Sequence, residues 1–159
     1  GPTTVGSGRV AMQVVSSRAE LLKLMRAGRG GRRLNKHNAT RIQFAGRWWH
    51  SKMEAARYVQ LLLLVEREAL RDLVLQPRFK FHCGRSYIAD FSYTTVGQNS
   101  VTSNVVEDVK GFETKEFKIK RDLLRDEYGI AVQMVTLNSR CVNDLLAVGE
   151  AVLARVEKR

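Results

Sequence analysis

Acidic residues are nearly missing from the first part of this chain. Residues 1–60 carry 12 Lys/Arg against only 2 Asp/Glu, a balance of +10, whereas residues 61–159 carry 15 against 14 and so hold just +1 of the total +11. Cysteine is scarce too: Cys83 and Cys141 are the only two, and no Cys-x-x-Cys occurs. A disulfide framework is thereby excluded, and free thiols in a reducing compartment are expected. His82-Cys83 is half of a zinc-ligand set with no second pair spaced to complete it. Long apolar runs are absent. The longest, Leu61 to Val65, falls far short of the ~20 residues that span a bilayer. No compact apolar stretch follows the first basic residues, so no secretory signal is expected.

What is present fits one globular domain. The 159 residues, with 44% hydrophobic and 27% charged, suffice for a proper core. The concentrated positive charge implies an anionic partner, of which nucleic acid is the commonest. A membrane surface fits less well, because the basic region has no matching aromatic or leucine face.

The pattern along the chain predicts alternating helices and strands, with no internal repeat. Ser17-Arg-Ala-Glu20 has capping-box spacing and opens a short helix through Met25. Gly28 to Arg33 follows as a flexible basic linker. From Asn35 the chain becomes compact. Arg41–Trp49 reads as extended with a turn at Ala45-Gly46. Ser51 to about Leu75 reads as a long helix ended by Pro77, with Met53, Ala56, Val59, Leu62, Leu63 and Leu70 mostly on one stripe. Arg78–His82 and Ser86–Thr94 read as strands joined at Cys83-Gly84. Gly97–Ser100 is a turn, and Thr102–Lys110 a third strand. Thr114–Tyr128 is a helix closed by Gly129, where a left-handed cap is expected. Ile130–Leu137 is a fourth strand and Asn143–Val156 a last amphipathic helix. The order is helix, three strands, helix, strand, with an extra helix at each end. Its helical crossover favours a mixed sheet.

Two strands carry isolated charges. Asp90 stands alone among Tyr87, Ile88, Phe91 and Tyr93. Asp108 and Lys110 are two apart and share a strand face, which turns the neighbouring Glu107 to the other side. A lone carboxylate in an apolar strand is costly to bury without a partner. Two carboxylates and a Lys on neighbouring strands resolve that cost by holding a divalent cation, Mg²⁺ or Mn²⁺, with the Val109 backbone carbonyl as a further oxygen ligand. Such a set can hydrolyse a phosphodiester, Lys110 orienting the water or offsetting charge. The bland alternative is a salt bridge across the sheet.

Asp90 followed by Asp108-x-Lys110 resembles the PD-(D/E)xK nuclease motif, with Ala89 in place of the proline. Asn35-Lys-His-Asn-Ala39, Ser51 to Tyr58, Leu75-Gln-Pro77, Tyr87 to Phe91 and Val106 to Phe112 together resemble a phage and prophage family of these restriction-endonuclease-like nucleases, associated with Holliday-junction resolution. The likeness covers about residues 35–130. It implies an α/β restriction-endonuclease-like core over 35–137; composition sets a basic extension over 1–34 before it, and periodicity a C-terminal helix over 138–159 after it. It implies in-line attack by water, leaving a 5′-phosphate and a 3′-hydroxyl. It also places an acidic metal ligand at Glu54, although Ser51-x-x-Glu54 equally satisfies a capping box.

Catalytic candidates are thus Asp90, Asp108, Lys110 and Glu54. Metal candidates are Asp90, Asp108, Glu54 and the Val109 carbonyl. Lys115 and Lys118, three apart on one helix face, join Arg29, Arg32, Arg33, Lys36 and Lys52 as candidate DNA contacts. Trp48-Trp49 offers a stacking surface. His37 and His50 read as surface residues and His82 as a strand-edge residue. The expected partner is branched DNA, the expected assembly a homodimer able to make paired cuts, and the expected location cytoplasmic, the host's if the chain is phage-encoded. A nicking or repair nuclease and a non-catalytic nucleic-acid-binding protein are the alternatives.

Overall fold

A computed structural model describes residues 40–158. The helix expected over 17–25, the linker from Gly28 to Arg33, and Arg29, Arg32, Arg33, Lys36 and His37 lie outside them. The described chain is mixed α/β, with a mixed central sheet and three α-helices. It opens with a hairpin, β1 (Ile42–Phe44) and β2 (Arg47–Trp49). Its two-residue turn puts Ala45 at φ 55° and Gly46 at φ 74°, the pair of positive angles that a tight hairpin of this twist requires.

Helix α1 (Lys52–Glu66) follows, capped by Ser51, whose hydroxyl accepts the Glu54 N–H at 3.1 Å. It ends nine residues earlier than Leu75, the end expected from the leucine stripe. Glu68 adopts a left-handed φ of 58°, and the chain turns into strand β3 (Leu70–Leu75). A Leu/Val-rich stretch suits both periods, and pairing with a distant strand decides between them here. The second difference is at Ser86–Thr94. It is two strands rather than one: β5 (Ser86–Ile88) pairs with β4 (Arg78–Lys80) in a separate hairpin, and β6 (Phe91–Val96) joins the central sheet. The break falls at Ala89-Asp90.

The remaining elements follow the expected order. A 3₁₀ turn (Gln98–Ser100) leads to β7 (Thr102–Val109). Helix α2 (Lys115–Tyr128) is capped by Thr114 and closed by Gly129 at φ 67°, the left-handed residue that glycine adopts without steric cost. Strand β8 (Val132–Val135) runs parallel to β7, and α3 (Ser139–Glu157), capped by Asn138, starts four residues before the helix expected at Asn143. The central sheet has the order β3-β6-β7-β8, antiparallel except for the last pair.

Each face of the sheet has its own core. On one, Phe91, Tyr93 and Val109 pack with Tyr58, Val59, Leu61 and Leu62 of α1 and Val152, Leu153 and Val156 of α3. The C-terminal helix therefore shares the main core. Gly149 marks its closest approach: a Cβ there would stand 2.6 Å from the Phe44 ring. On the other face, Val106 packs with Phe79, Phe81 and Tyr87 of the β4–β5 hairpin and Phe117 and Leu124 of α2.

Candidate active site

Strand register builds the site. Phe91 pairs with Glu107 and Ser92 with Val106; just before β6, the Asp90 N–H donates to the Glu107 carbonyl at 3.2 Å and its carboxylate accepts the Val109 N–H, which brings Asp90 to the end of β7 beside Asp108. Side chains alternate along β7. Asp108 and Lys110 therefore point to the hairpin and α2 face, while Glu107 points to the α1 face.

The two acids of β7 meet opposite fates. Glu107 is fully buried at 0% exposure, yet every demand it makes is met. The Arg57 guanidinium of α1 grips it in bidentate fashion, Nε to Oε1 at 2.8 Å and a second nitrogen to Oε2 at 2.9 Å, and the Tyr93 hydroxyl donates to Oε2 at 2.8 Å. Burial, then the charge of Glu107, push the Tyr93 hydroxyl up to about 12, so it remains a donor. Arg57 also donates to Gln60 at 2.9 Å. This is a closed, structural ion pair.

Asp108 is only 2% exposed and is left with less. The Tyr87 hydroxyl donates to its Oδ2 at 2.5 Å, and the Lys110 ammonium stands 3.5 Å from the same oxygen. Lys110 is held over the Phe117 ring at 5.1 Å, a cation–π contact from α2. Asp90 accepts the Val109 N–H at 2.7 Å on Oδ2 and faces the Asp108 carboxyl within hydrogen-bonding reach. Burial first, then Asp108 and the charge of Glu54, hold the Asp90 carboxyl well above the usual range; the Val109 N–H opposes this. Like charges held close together in a desolvated site are destabilising. Among the described residues Lys110 pairs with Asp108 and no cation pairs with Asp90, whereas Glu107 has an arginine and a tyrosine to itself.

Glu54 approaches from the first turn of α1. Its N–H is spent on the Ser51 cap, while its carboxylate turns toward His50, with Nδ1 to Oε2 at 3.7 Å. That contact raises the His50 pKa against the cost of partial burial. Glu54 thus acts on Asp90 through its field while capping its helix through its backbone. Among the described residues no three His, Cys, Asp or Glu side chains stand close enough together to form a ready-made metal site. The donor set, the two facing carboxylates of Asp90 and Asp108, is all oxygen and suits a hard cation. Mg²⁺ is commonly held by one or two carboxylates with water completing its shell.

The chain belongs to the family described as protein of unknown function DUF1064. The family model matches residues 34–141, which takes in every described strand, α1, α2, and Glu54, Asp90, Asp108 and Lys110. No curated protein and no solved structure matches the chain.

The other candidate residues scatter around this centre. Lys52 opens α1 and Lys115 opens α2, both exposed. Lys118 is engaged by Glu113 at 3.6 Å. Trp48 is 45% exposed with Arg41 over its ring at 5.7 Å, whereas Trp49 is buried and donates to the Phe44 carbonyl at 3.0 Å. His82 bonds Glu127 at 2.9 Å. Cys83 and Cys141 are free thiols. No described helix is long and apolar enough to cross a membrane. Sequence reasoning missed Arg57, Tyr93 and Tyr87. Tyr87 carries a faint signal, a hydroxyl three residues before Asp90 in an otherwise apolar strand. Arg57 carries none, since its partner is 50 residues away.

The Asp90 pair has a measurable cost. With its pKa raised in the folded state, Asp90 binds its proton more readily there than in the unfolded chain. Its ionised form therefore lowers stability, increasingly as pH rises through the folded pKa. Asp90→Asn keeps an oxygen for the Val109 N–H and removes the charge. In EDTA near neutral pH its melting temperature should exceed that of wild type, with the gap closing as pH falls to about 4. A variant that melts lower than wild type across that range would refute the electrostatic account.

Proposed function

We propose that this protein is a metal-dependent DNA endonuclease and, within that class, a structure-selective resolvase of branched DNA. One observation carries the reading: the Asp90 carboxyl, just before β6, faces the buried Asp108 carboxylate of β7, with a single lysine paired to Asp108, beside a glutamate that is fully neutralised. A fold that can neutralise Glu107 so completely leaves Asp90 and Asp108 in need of a cation. The resemblance of Asp90 and Asp108-x-Lys110 to the PD-(D/E)xK motif supports the same reading, as does the +10 charge of residues 1–60.

Asp90 and Asp108 would hold the cation, with Glu54 and the Val109 carbonyl completing the protein's share. When bound, a divalent cation neutralises phosphate charge and lowers the pKa of water. The chain's own groups do the rest. Tyr87 fixes the Asp108 carboxylate through its hydroxyl. Phe117 holds the Lys110 ammonium beside that carboxylate, from where it can orient an attacking water or offset charge on the phosphate. The basic N-terminal region supplies phosphate contacts that do not depend on sequence.

The test is cleavage of a four-way junction, a linear duplex, a single strand and an RNA, each with Mg²⁺ and with EDTA. The expected result is Mg²⁺-dependent, symmetric cutting of the junction and little cutting of the rest. Equal nicking of linear duplex would replace the resolvase by a general nicking or repair nuclease. DNA binding with no cleavage of any substrate in Mg²⁺ or Mn²⁺ would leave a non-catalytic nucleic-acid-binding protein.

A further inference from the structure

We propose that the outer face of the β4–β5 hairpin is a second DNA-contact surface, a phosphate-binding ribbon that leads the duplex to the carboxylate pair. The inference rests on the nuclease reading above. The hairpin runs Arg78-Phe-Lys-Phe-His-Cys-Gly-Arg-Ser-Tyr-Ile88 and contains three strong cations and no acid. Residues 61–159 carry +1 in total, so without these three they would stand at −2.

Alternation sorts the side chains cleanly. Phe79, Phe81 and Tyr87 turn inward and are buried, while Arg78, Lys80 and Ile88 turn outward and are exposed. The register sets Arg78 opposite Ile88 and Lys80 opposite Ser86, which gives one face of two cations with an apolar and a small polar neighbour. Arg85 sits at the entry to β5 and is exposed. The side chains of Arg78, Lys80 and Arg85 form no ion pair or hydrogen bond among the described residues. The other basic groups nearby are largely spent: Lys118 and Arg121 on Glu113, and Lys120 on Glu116. Glu127, the acid that reaches the hairpin, is occupied by the ring and backbone N–H of His82.

Position ties this face to the site. Tyr87 of β5 donates to Asp108, and the strand runs on through Ala89 to Asp90. Ser86 is four residues from Asp90, about 13 Å of extended chain, or roughly four base-pair steps of duplex. Glu116 is held below the usual carboxylate range chiefly by its bond to Lys120, with smaller contributions from Arg85 and Lys110. A two-stranded ribbon also has the cross-section that duplex grooves admit.

The test uses the full chain with Arg78→Gln, Lys80→Gln and Arg85→Gln combined. Binding to junction DNA is followed by anisotropy in EDTA over a range of salt. The slope of log K against log salt should fall by about 2 to 3, since each phosphate that the variant no longer neutralises removes about 0.9, and affinity should drop roughly tenfold or more. Arg67→Gln with Lys158→Gln is the control. These residues cap the far ends of α1 and α3, Arg67 about 20 Å along the helix from Glu54, and their replacement should leave the slope unchanged. An unchanged slope in the triple variant, or an equal drop in the control, overturns the proposal. So does hairpin-dependent binding of polyglutamate as tight as that of DNA, which would reassign the face to an acidic protein. If the slope falls but wild type cuts nothing, the ribbon stands and the nuclease reading fails; if wild type cuts and the slope is unchanged, only the ribbon fails.

Discussion

Asp108→Asn is expected to reduce metal-dependent cleavage by about 10³-fold or more while leaving DNA binding in EDTA within about twofold of wild type. The amide oxygen can still accept from the Tyr87 hydroxyl, which donates to Asp108 at 2.5 Å, so the local packing survives. What disappears is the negative charge that faces Asp90 and stands 3.5 Å from the Lys110 ammonium. A cation's stabilisation of charge on a phosphoryl oxygen is worth several kcal/mol, and each 1.36 kcal/mol is a factor of ten in rate. Single-turnover cleavage of junction DNA measures the loss. Activity within tenfold of wild type at saturating Mg²⁺ would remove Asp108 from the site and return the carboxylate pair to a structural role.

Arg57→Ala should act on stability instead. It strips a bidentate partner from Glu107, a carboxylate at 0% exposure, and leaves only the Tyr93 hydroxyl. Breaking a buried ion pair by deleting one member costs about 3–5 kcal/mol, because the survivor stays desolvated and charged. Of a typical total of about 5–15 kcal/mol, that is enough to bring the chain near its folding threshold. Arg57→Met combined with Glu107→Leu, which removes both charges, should recover most of the loss. Urea unfolding of the three proteins tests this. A cost below about 1 kcal/mol for Arg57→Ala would mean that water reaches Glu107. The two variants separate neighbouring acids on one strand: the expected loss at Asp108 is in cleavage and that at Arg57–Glu107 is in folding.

Much of the architecture is legible in local pattern. The β1–β2 turn at Ala45-Gly46, the Thr114 and Gly129 caps of α2, and the crossover to β8 all rest on residues whose conformational preferences act within a few positions. The helix stop at Glu66 is not legible, because leucines and valines serve a helix stripe and a buried strand alike. Nor is the break at Ala89-Asp90. Ser86–Thr94 looks like one strand, and only the pairing of its halves with different partners divides it. Glu54 illustrates both levels: its spacing from Ser51 announces the cap, whereas its proximity to Asp90 depends on how α1 docks on the sheet.

The sequence by itself determined that Asp108 and Lys110 share a face and Glu107 does not, since the strand period of two admits no other arrangement. It also determined the excess of positive charge in residues 1–60. Tertiary structure alone decided that Asp90 comes to face Asp108, that Arg57 closes on Glu107 from 50 residues away, and that Arg78 and Lys80 share the outer face of a hairpin whose Tyr87 donates to Asp108. The reason is physical. Periodicity fixes the side on which a residue lies, but the registers between strands and the docking of helices depend on contacts between segments far apart in the chain. No local preference specifies those contacts.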